Sequence, residues 1–405
     1  MAAGVTGISG VHDDAVAIAG EVAELRHAIH QEPEVGLELP RTQRKVLDAL
    51  AGLPLEVSSG QSLSSVTAVL RGGRPGSTVL LRGDMDALPV TERTGLPYAS
   101  RLDGAMHACG HDLHTAMLAG AARLLAARQA ELPGNVIFMF QPGEEGFGGA
   151  RQMIDEGVLD AAGERPVAAF GLHVASGLLP LGIASSRAGT LMAASDTLQV
   201  TVHGRGGHGS APHRAADPIP AACEMVTALQ TMVTRQFDVF DPVVITVGSF
   251  HAGTADNVIG DDATFHATVR SFSPESRNKV RAGSVQLVSD VATAHGLTVT
   301  ADYIDGYPVT VNTAAEVDFA SQVVTGVLGE GRFLPLPNPL TGSEDFSFVL
   351  EQVPGAFVML GACAPEADPA TAPFNHSPLA VFDDAVIADG VAVYAELALR
   401  RLAAA

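Results

Sequence analysis

Apolar positions along the chain show three textures, and each texture predicts a different kind of element. Over residues 13–31 they recur at helical spacing, with Val16, Ile18, Val22, Leu25 and Ile29 behind an opening Asp pair. Pro33 in "HQEPEVG" forbids the helix from continuing, and a second helix is predicted from Pro40. His27 and His30 fall on the first helix and read as surface or internally satisfied side chains.

The second texture is continuous hydrophobicity in four short runs: Thr78–Arg82, Val136–Phe140, Val167–Leu172 and Phe357–Leu360. Runs without alternation predict strands buried on both faces, in a mixed sheet covered by helices. Polar residues follow each run: Asp84 and Asp86, then Glu144 and Glu145, then His173 and, after a loop, His376. Ligands of open α/β sheets bind beyond the carboxyl ends of the strands, so four such ends predict one shared site. Between the first two runs, residues 112–130 predict a helix with Met117, Leu118, Leu124 and Leu125 on one face. Cys109 and His111 stand at its N-terminus, where the helix dipole and free N–H groups favour a thiolate.

The third texture begins near Ala188, where Leu198, Val200 and Val202 alternate with polar residues as in a strand with one exposed face. A helix over 218–236, strands at 243–247 and 264–269, a helix over 274–295 and a strand at 297–303 follow. This order predicts a small α+β domain, 188–303, inserted into a larger α/β domain formed by 1–187 and 304–405. The segment "DGYPVTVNT" is the predicted return, and a final helix over 385–402 rejoins the first domain.

Length agrees with that division, because 405 residues exceed what one compact core holds. Charge narrows the partners. Lys and Arg number 24 against 45 Asp and Glu, a formal net charge of −21, which argues against nucleic acid and anionic membrane. Tryptophan is absent and aromatics make up only 5%, so base-stacking surfaces are scarce. An anionic substrate would therefore need local positive charge. Three cysteines, Cys109, Cys223 and Cys363, make no disulfide framework and point to a reducing compartment. The N-terminus has no basic segment followed by an apolar core, so no secretory signal is expected. No run approaches the ~20 apolar residues of a membrane span, so a cytoplasmic protein is expected.

The sharpest chemical signal is "CGH" at 109–111, a thiol and an imidazole two residues apart between "GAMHA" and "DLH". Those residue types suit zinc, whereas a buried cysteine without function is only a small hydrophobe. His107 and His114 flank the pair and read as supporting residues. Glu144 and Glu145 stand together in the Gly-rich "QPGEEGFGG", where one carboxylate can hold a metal while the other acts as a general base. With His173 and His376 added, Cys109, His111 and Glu145 complete five candidate ligands, enough for two ions. Gly204, Gly206 and Gly209 spell a dinucleotide fingerprint, but "SAPHRAADP" separates them from the next helix. That fingerprint needs the helix to begin at the glycines, so a nucleotide site is rejected.

The stretches "GDMDALPV", "MHACGHDLHTAMLAGAA", "GNVIFMFQPGEEGFGGARQMI", "GRGGHGSAPHRAADPI", "ADNVI", "ATVRSF", "GSEDF" and "NHSP" run in order through nearly the whole chain. Together they resemble the dinuclear zinc hydrolases that include aminoacylases and carboxypeptidase G. The likeness is nearer to the amidohydrolase branch of hippurate hydrolases, N-acetyldiaminopimelate deacetylases and auxin-conjugate hydrolases. The resemblance implies a zinc-aminopeptidase-like catalytic domain with an inserted lid that forms a homodimer or a dimer of dimers. It implies metal ligands Cys109, His111, Glu145, His173 and His376, with Cys109 bridging two divalent ions, zinc first and manganese, cobalt or nickel as alternatives. Glu144 falls on the catalytic base, and Asp86 on an acid that orients a ligand histidine. His208 matches a histidine that reaches the partner's active site, and Asn257 and Arg270 match residues that hold a substrate carboxylate. The peptidase branch has a histidine ligand at Asp84 and an aspartate bridge at Cys109, so hydrolysis of N-acyl-amino acids is the expected activity. A metal-dependent dipeptidase or carboxypeptidase is the alternative.

Overall fold

A computed structural model describes residues 10–404 of the chain. The reading on a secretory signal falls mostly on 1–9, outside the described residues. Among the described residues, no helix is long and apolar enough to cross a membrane.

The chain divides into two compact units. The first holds the chain through Leu191, then Val311–Asn338, then everything from Asp345 onward. Its eight-stranded sheet runs, edge to edge, Leu55–Ser59, Val66–Arg71, Pro133–Gln141, Arg74–Asp84, Ala168–Ala175, Gly355–Gly361, Ala184–Ser186 and Phe333–Pro335. The four strands in the middle, from Pro133–Gln141 to Gly355–Gly361, are mutually parallel, and antiparallel pairs flank them on both sides. All four predicted runs belong to this parallel block. Residues 78–84, 136–141 and 355–361 are buried throughout, as continuous hydrophobicity requires of strands covered on both faces. Helices Val11–His30, His111–Ala127 and Val386–Ala403 pack on one another, and the latter two also pack against the sheet. The polar edge strand Leu55–Ser59 is mostly exposed, which is why it has no hydrophobic signature to read.

The second unit spans Met192–Thr310 and takes in Pro339–Glu344. Its four-stranded antiparallel sheet has the order Val243–Ala252, Asp262–Ser271, Ala194–His203, Thr298–Tyr307. Helices Pro218–Gln236 and Pro274–Ala294 pack on each other and on that sheet. Leu198, Val200 and Val202 are fully buried, while Thr197, Gln199 and Thr201 between them are partly exposed. The unit's edges differ from those expected at 187/188 and 303/304. The last strand runs on to Tyr307, and the short return Pro339–Glu344 has too few residues for a pattern of its own.

Candidate metal centre

Because the four middle strands are parallel, their carboxyl ends emerge on one edge of the sheet. Asp84 ends its strand and Asp86 follows in the adjoining loop; Glu144 and Glu145 follow Gln141; His173 lies near the end of Ala168–Ala175. His376 returns from the loop after Gly361, and its backbone N–H donates to Ala108 O at 2.8 Å. It holds a left-handed φ of 73°, uncommon outside glycine, to make that approach. Gly110 caps helix His111–Ala127 at φ 82°, where a Cβ would stand 2.3 Å from Val174 Cγ2. Only glycine lets the Cys109–His111 corner come so near the strand carrying His173.

Cys109, His111 and His173 form one group whose potential ligand atoms all lie within 4.8 Å of one another; Cys109, Glu145 and His376 form a second. Cys109 is common to both. Its sulfur is 3.5 Å from His173 Nε2, a spacing suited to two donors about 2.0–2.3 Å from one ion. His173 donates from Nδ1 to Val174 O at 2.9 Å, which leaves the Nε2 lone pair turned towards that sulfur. Burial, then the neighbouring His114, holds the His173 pKa well below the usual histidine range, so its imidazole is neutral as a ligand must be. His376 Nε2 sits 3.2 Å from Glu145 Oε1. The Cys109 sulfur and that carboxylate raise the His376 pKa to about 10, so a cation binding there displaces a proton.

His111 and His114 lie one turn apart on the same helix, both fully buried, with opposite fates. His114 accepts the Val174 N–H at Nε2 (2.7 Å) and meets Asp84 Oδ1 through Nδ1 (2.6 Å). It is therefore the neutral Nδ1–H form with both nitrogens used, and burial lowers its pKa. His111 turns Nδ1 towards Asp86 Oδ1 at 3.5 Å and Nε2 towards Asp84 and Glu145 at 3.6 and 3.9 Å. Neither nitrogen has a hydrogen bond, nor does buried Glu145 Oε1. Burial opposes charge on His111, yet Asp84 and then Cys109 hold its pKa well above the ordinary value. A neutral solvent molecule does not explain so much uncompensated donor capacity among anions; divalent cations fit it.

Asp86 does more than its sequence position suggests. One oxygen accepts the Glu144 N–H at 2.9 Å and the other the Glu145 N–H at 3.0 Å, so a single carboxylate fixes the Glu turn and faces His111. Glu144 is buried, and it, His111 and Glu145 likewise bring potential donor atoms within 4.8 Å of each other. Asp84 is held in a closed set of contacts: Arg82 Nη1 meets its carboxylate at 2.6 Å, while Arg82 Nε donates to Gln141 and Nη2 to Asp345. His107 is buried with neither ring nitrogen bonded, and burial pulls its pKa down to about 3; it joins none of the groups formed by the described residues.

His208, Asn257 and Arg270 all belong to the second unit. His208 pairs with Val258 across a two-residue ladder, and Gly209 N–H donates to Asn257 O at 2.8 Å, so the first two lie side by side although about 50 residues separate them in sequence. Ser210 N–H and Oγ both reach His208 Nδ1, at 3.1 and 2.9 Å, leaving Nε2 as the protonated, outward donor. Arg270 is half-buried on strand Asp262–Ser271, with Ser343 at 3.3 Å, and burial lowers its pKa. The glycines of the rejected fingerprint precede a helix that begins only at Pro218.

Residues 80–400 match the model of peptidase family M20/M25/M40. A thermostable carboxypeptidase of Saccharolobus solfataricus is 37% identical over 94% of this chain and 95% of its own length. Hippurate hydrolase of Campylobacter jejuni is 37% identical over 95% of this chain and 97% of its own. Among solved structures, a dinuclear metal-binding M20 peptidase of Bacillus subtilis superposes with a TM-score of 0.82 at 31% identity, covering 96% of this chain and 99% of that one.

Proposed function

The chain belongs to peptidase family M20/M25/M40 and is an amidohydrolase; from that premise we propose that its substrates are N-acyl-L-amino acids of the N-acetyl or N-benzoyl type. The products are a carboxylate and a free amino acid. The observation that carries this reading is the pair of ligand groups sharing Cys109, with Glu144 beside them.

Cys109, His111 and His173 would hold one divalent ion and Cys109, Glu145 and His376 the other. Bound there, the ions would supply Lewis acidity, polarising the scissile carbonyl and making water acidic enough to attack near neutral pH. Thiolate and imidazole donors favour zinc, with manganese, cobalt and nickel as alternatives. Glu144, carried on the turn that Asp86 holds, takes the proton from the attacking water and returns it to the leaving nitrogen as the C–N bond breaks. Arg270 and Asn257 grip the substrate's α-carboxylate, a bidentate task for which Arg is suited and which an acidic protein needs. His208 offers its Nε2–H to the developing oxyanion of a second subunit's reaction, in a homodimer or dimer of dimers formed through the second unit. Three free cysteines suit a reducing, cytoplasmic setting.

Likeness to a carboxypeptidase favours a second reading, dipeptide or C-terminal residue cleavage. Against it stands Asp84, occupied by Arg82 and His114 where the peptidases carry a further ligand. Metal-stripped and reconstituted protein offered hippurate, N-acetyl-amino acids and dipeptides separates the two. Faster cleavage of dipeptides would overturn the amidohydrolase substrate class. Mixing His208→Ala with Glu144→Ala subunits should restore activity; no recovery despite subunit exchange would remove His208 from trans action.

A further inference from the structure

Asn375 precedes His376 in "FNHSP", and its carboxamide touches the segments that carry two other proposed ligands. Nδ2, with two protons, faces three acceptors, Val174 O at 3.0 Å beside His173, Cys109 O at 3.3 Å and Cys109 Sγ at 3.7 Å, so two of them share one N–H. Oδ1 accepts the Ser176 N–H at 3.0 Å, and the Ser176 hydroxyl, 3.1 Å from the same oxygen, also reaches Pro373 O at 2.9 Å. The side chain thus meets acceptors on one end and a donor on the other, which a carboxamide satisfies and a carboxylate or alkyl group does not. It ties the corner before helix His111–Ala127, the strand Ala168–Ala175 and the loop bearing His376, whose left-handed φ needs an outside restraint to persist.

We infer that Asn375 is a positioning residue for the metal centre: it sets the spacing of Cys109, His173 and His376 and donates an N–H to the Cys109 sulfur. The inference rests on the ligand assignment proposed above. An N–H aimed at a thiolate draws charge from the sulfur and holds its lone pairs in one orientation, so it acts on every bond that sulfur makes to metal.

Cobalt(II) titration of metal-stripped wild type, Asn375→Ala and Asn375→Asp tests it, read by affinity and by the thiolate-to-cobalt charge-transfer band. Both variants should lose affinity by ~10–100-fold. The band should move to lower energy in Asn375→Ala, because the sulfur has lost its donor. A wild type with no thiolate band would defeat the ligand assignment itself. A normal wild-type band with both variants unchanged in affinity and band position would overturn the role of Asn375 alone. A measurement on wild type needs no variant to fold: with a magnetically active cadmium isotope bound, an Asn375 Nδ2 proton should couple to the metal through the sulfur. Absence of that coupling would also overturn the contact.

Discussion

Two sets of buried polar groups lie at the strand ends, and they differ in whether their hydrogen bonds close. Behind the edge, Arg82, Asp84, His114, Gln141 and Asp345 answer one another: Arg82 donates from all three guanidinium nitrogens, and Asp345 also accepts from Gln141 and the Ala150 N–H. At the edge, His111 has no bond at either nitrogen, and Glu145 Oε1 meets only the His376 imidazole, at 3.2 Å. The same residue types do both jobs. The closed set belongs to the fold, and the open valences at the edge belong to the groups proposed to hold metal.

The sharpest way to break this contrast is to alter one member of each set. Glu144→Gln should cost ~10²–10⁴-fold in turnover while elemental analysis finds the metal content unchanged; near-normal turnover would remove Glu144 as the base. On the closed side, Arg82→Met strands two carboxylates that are fully buried, and urea unfolding should show a loss of ~3–5 kcal/mol. Cys109→Ala makes the counterpart: the metal should be lost, whereas the metal-stripped variant should unfold within about 1 kcal/mol of stripped wild type. Equal stability losses in those two variants would erase the distinction between the sets.

A smaller effect sharpens it through pH. His30 is closed in the same sense, with Asp112 at 2.8 Å and Glu92 at 3.2 Å, and these partners outweigh burial to raise its pKa to about 9. A raised folded-state pKa means the stabilisation is complete below the unfolded value near 6.5 and disappears as pH rises through about 9. Over that window this group should lower unfolding free energy by at most about 1.4 kcal/mol per pH unit, and His30→Gln should flatten the slope. A wild-type stability profile that rises across the window would contradict the assignment. The smallest change expected is Ser210→Ala, within about 0.5 kcal/mol in kcat/KM, since the Ser210 N–H still selects the His208 tautomer.

Much of the architecture was legible because burial on two faces writes itself as unbroken apolar runs, and the four such runs are the four parallel strands. The polar residues after them pointed at the shared edge for the same reason. What pattern did not reveal depends on contacts between distant segments. The sequence reads His114 only as a supporting residue; its bonds to Asp84 and the Val174 N–H, from two strands, appear only in the fold. Asp86 looked like a partner for one histidine, but its bonds to the Glu144 and Glu145 amides exist only once two strand ends are side by side. The segment 339–344 carries too little hydrophobic pattern to announce which unit it joins.

One shared atom also decides how the centre would fail. Both candidate ligand groups include the Cys109 sulfur, and sulfur, unlike a carboxylate, can be oxidised. Conversion to a sulfenic acid would take a donor from both positions in one event. Oxidative damage should therefore inactivate the enzyme all at once, molecule by molecule, without passing through a population that has lost a single ion. A thiol reductant would reverse that first step, and later oxidation products would make the loss permanent.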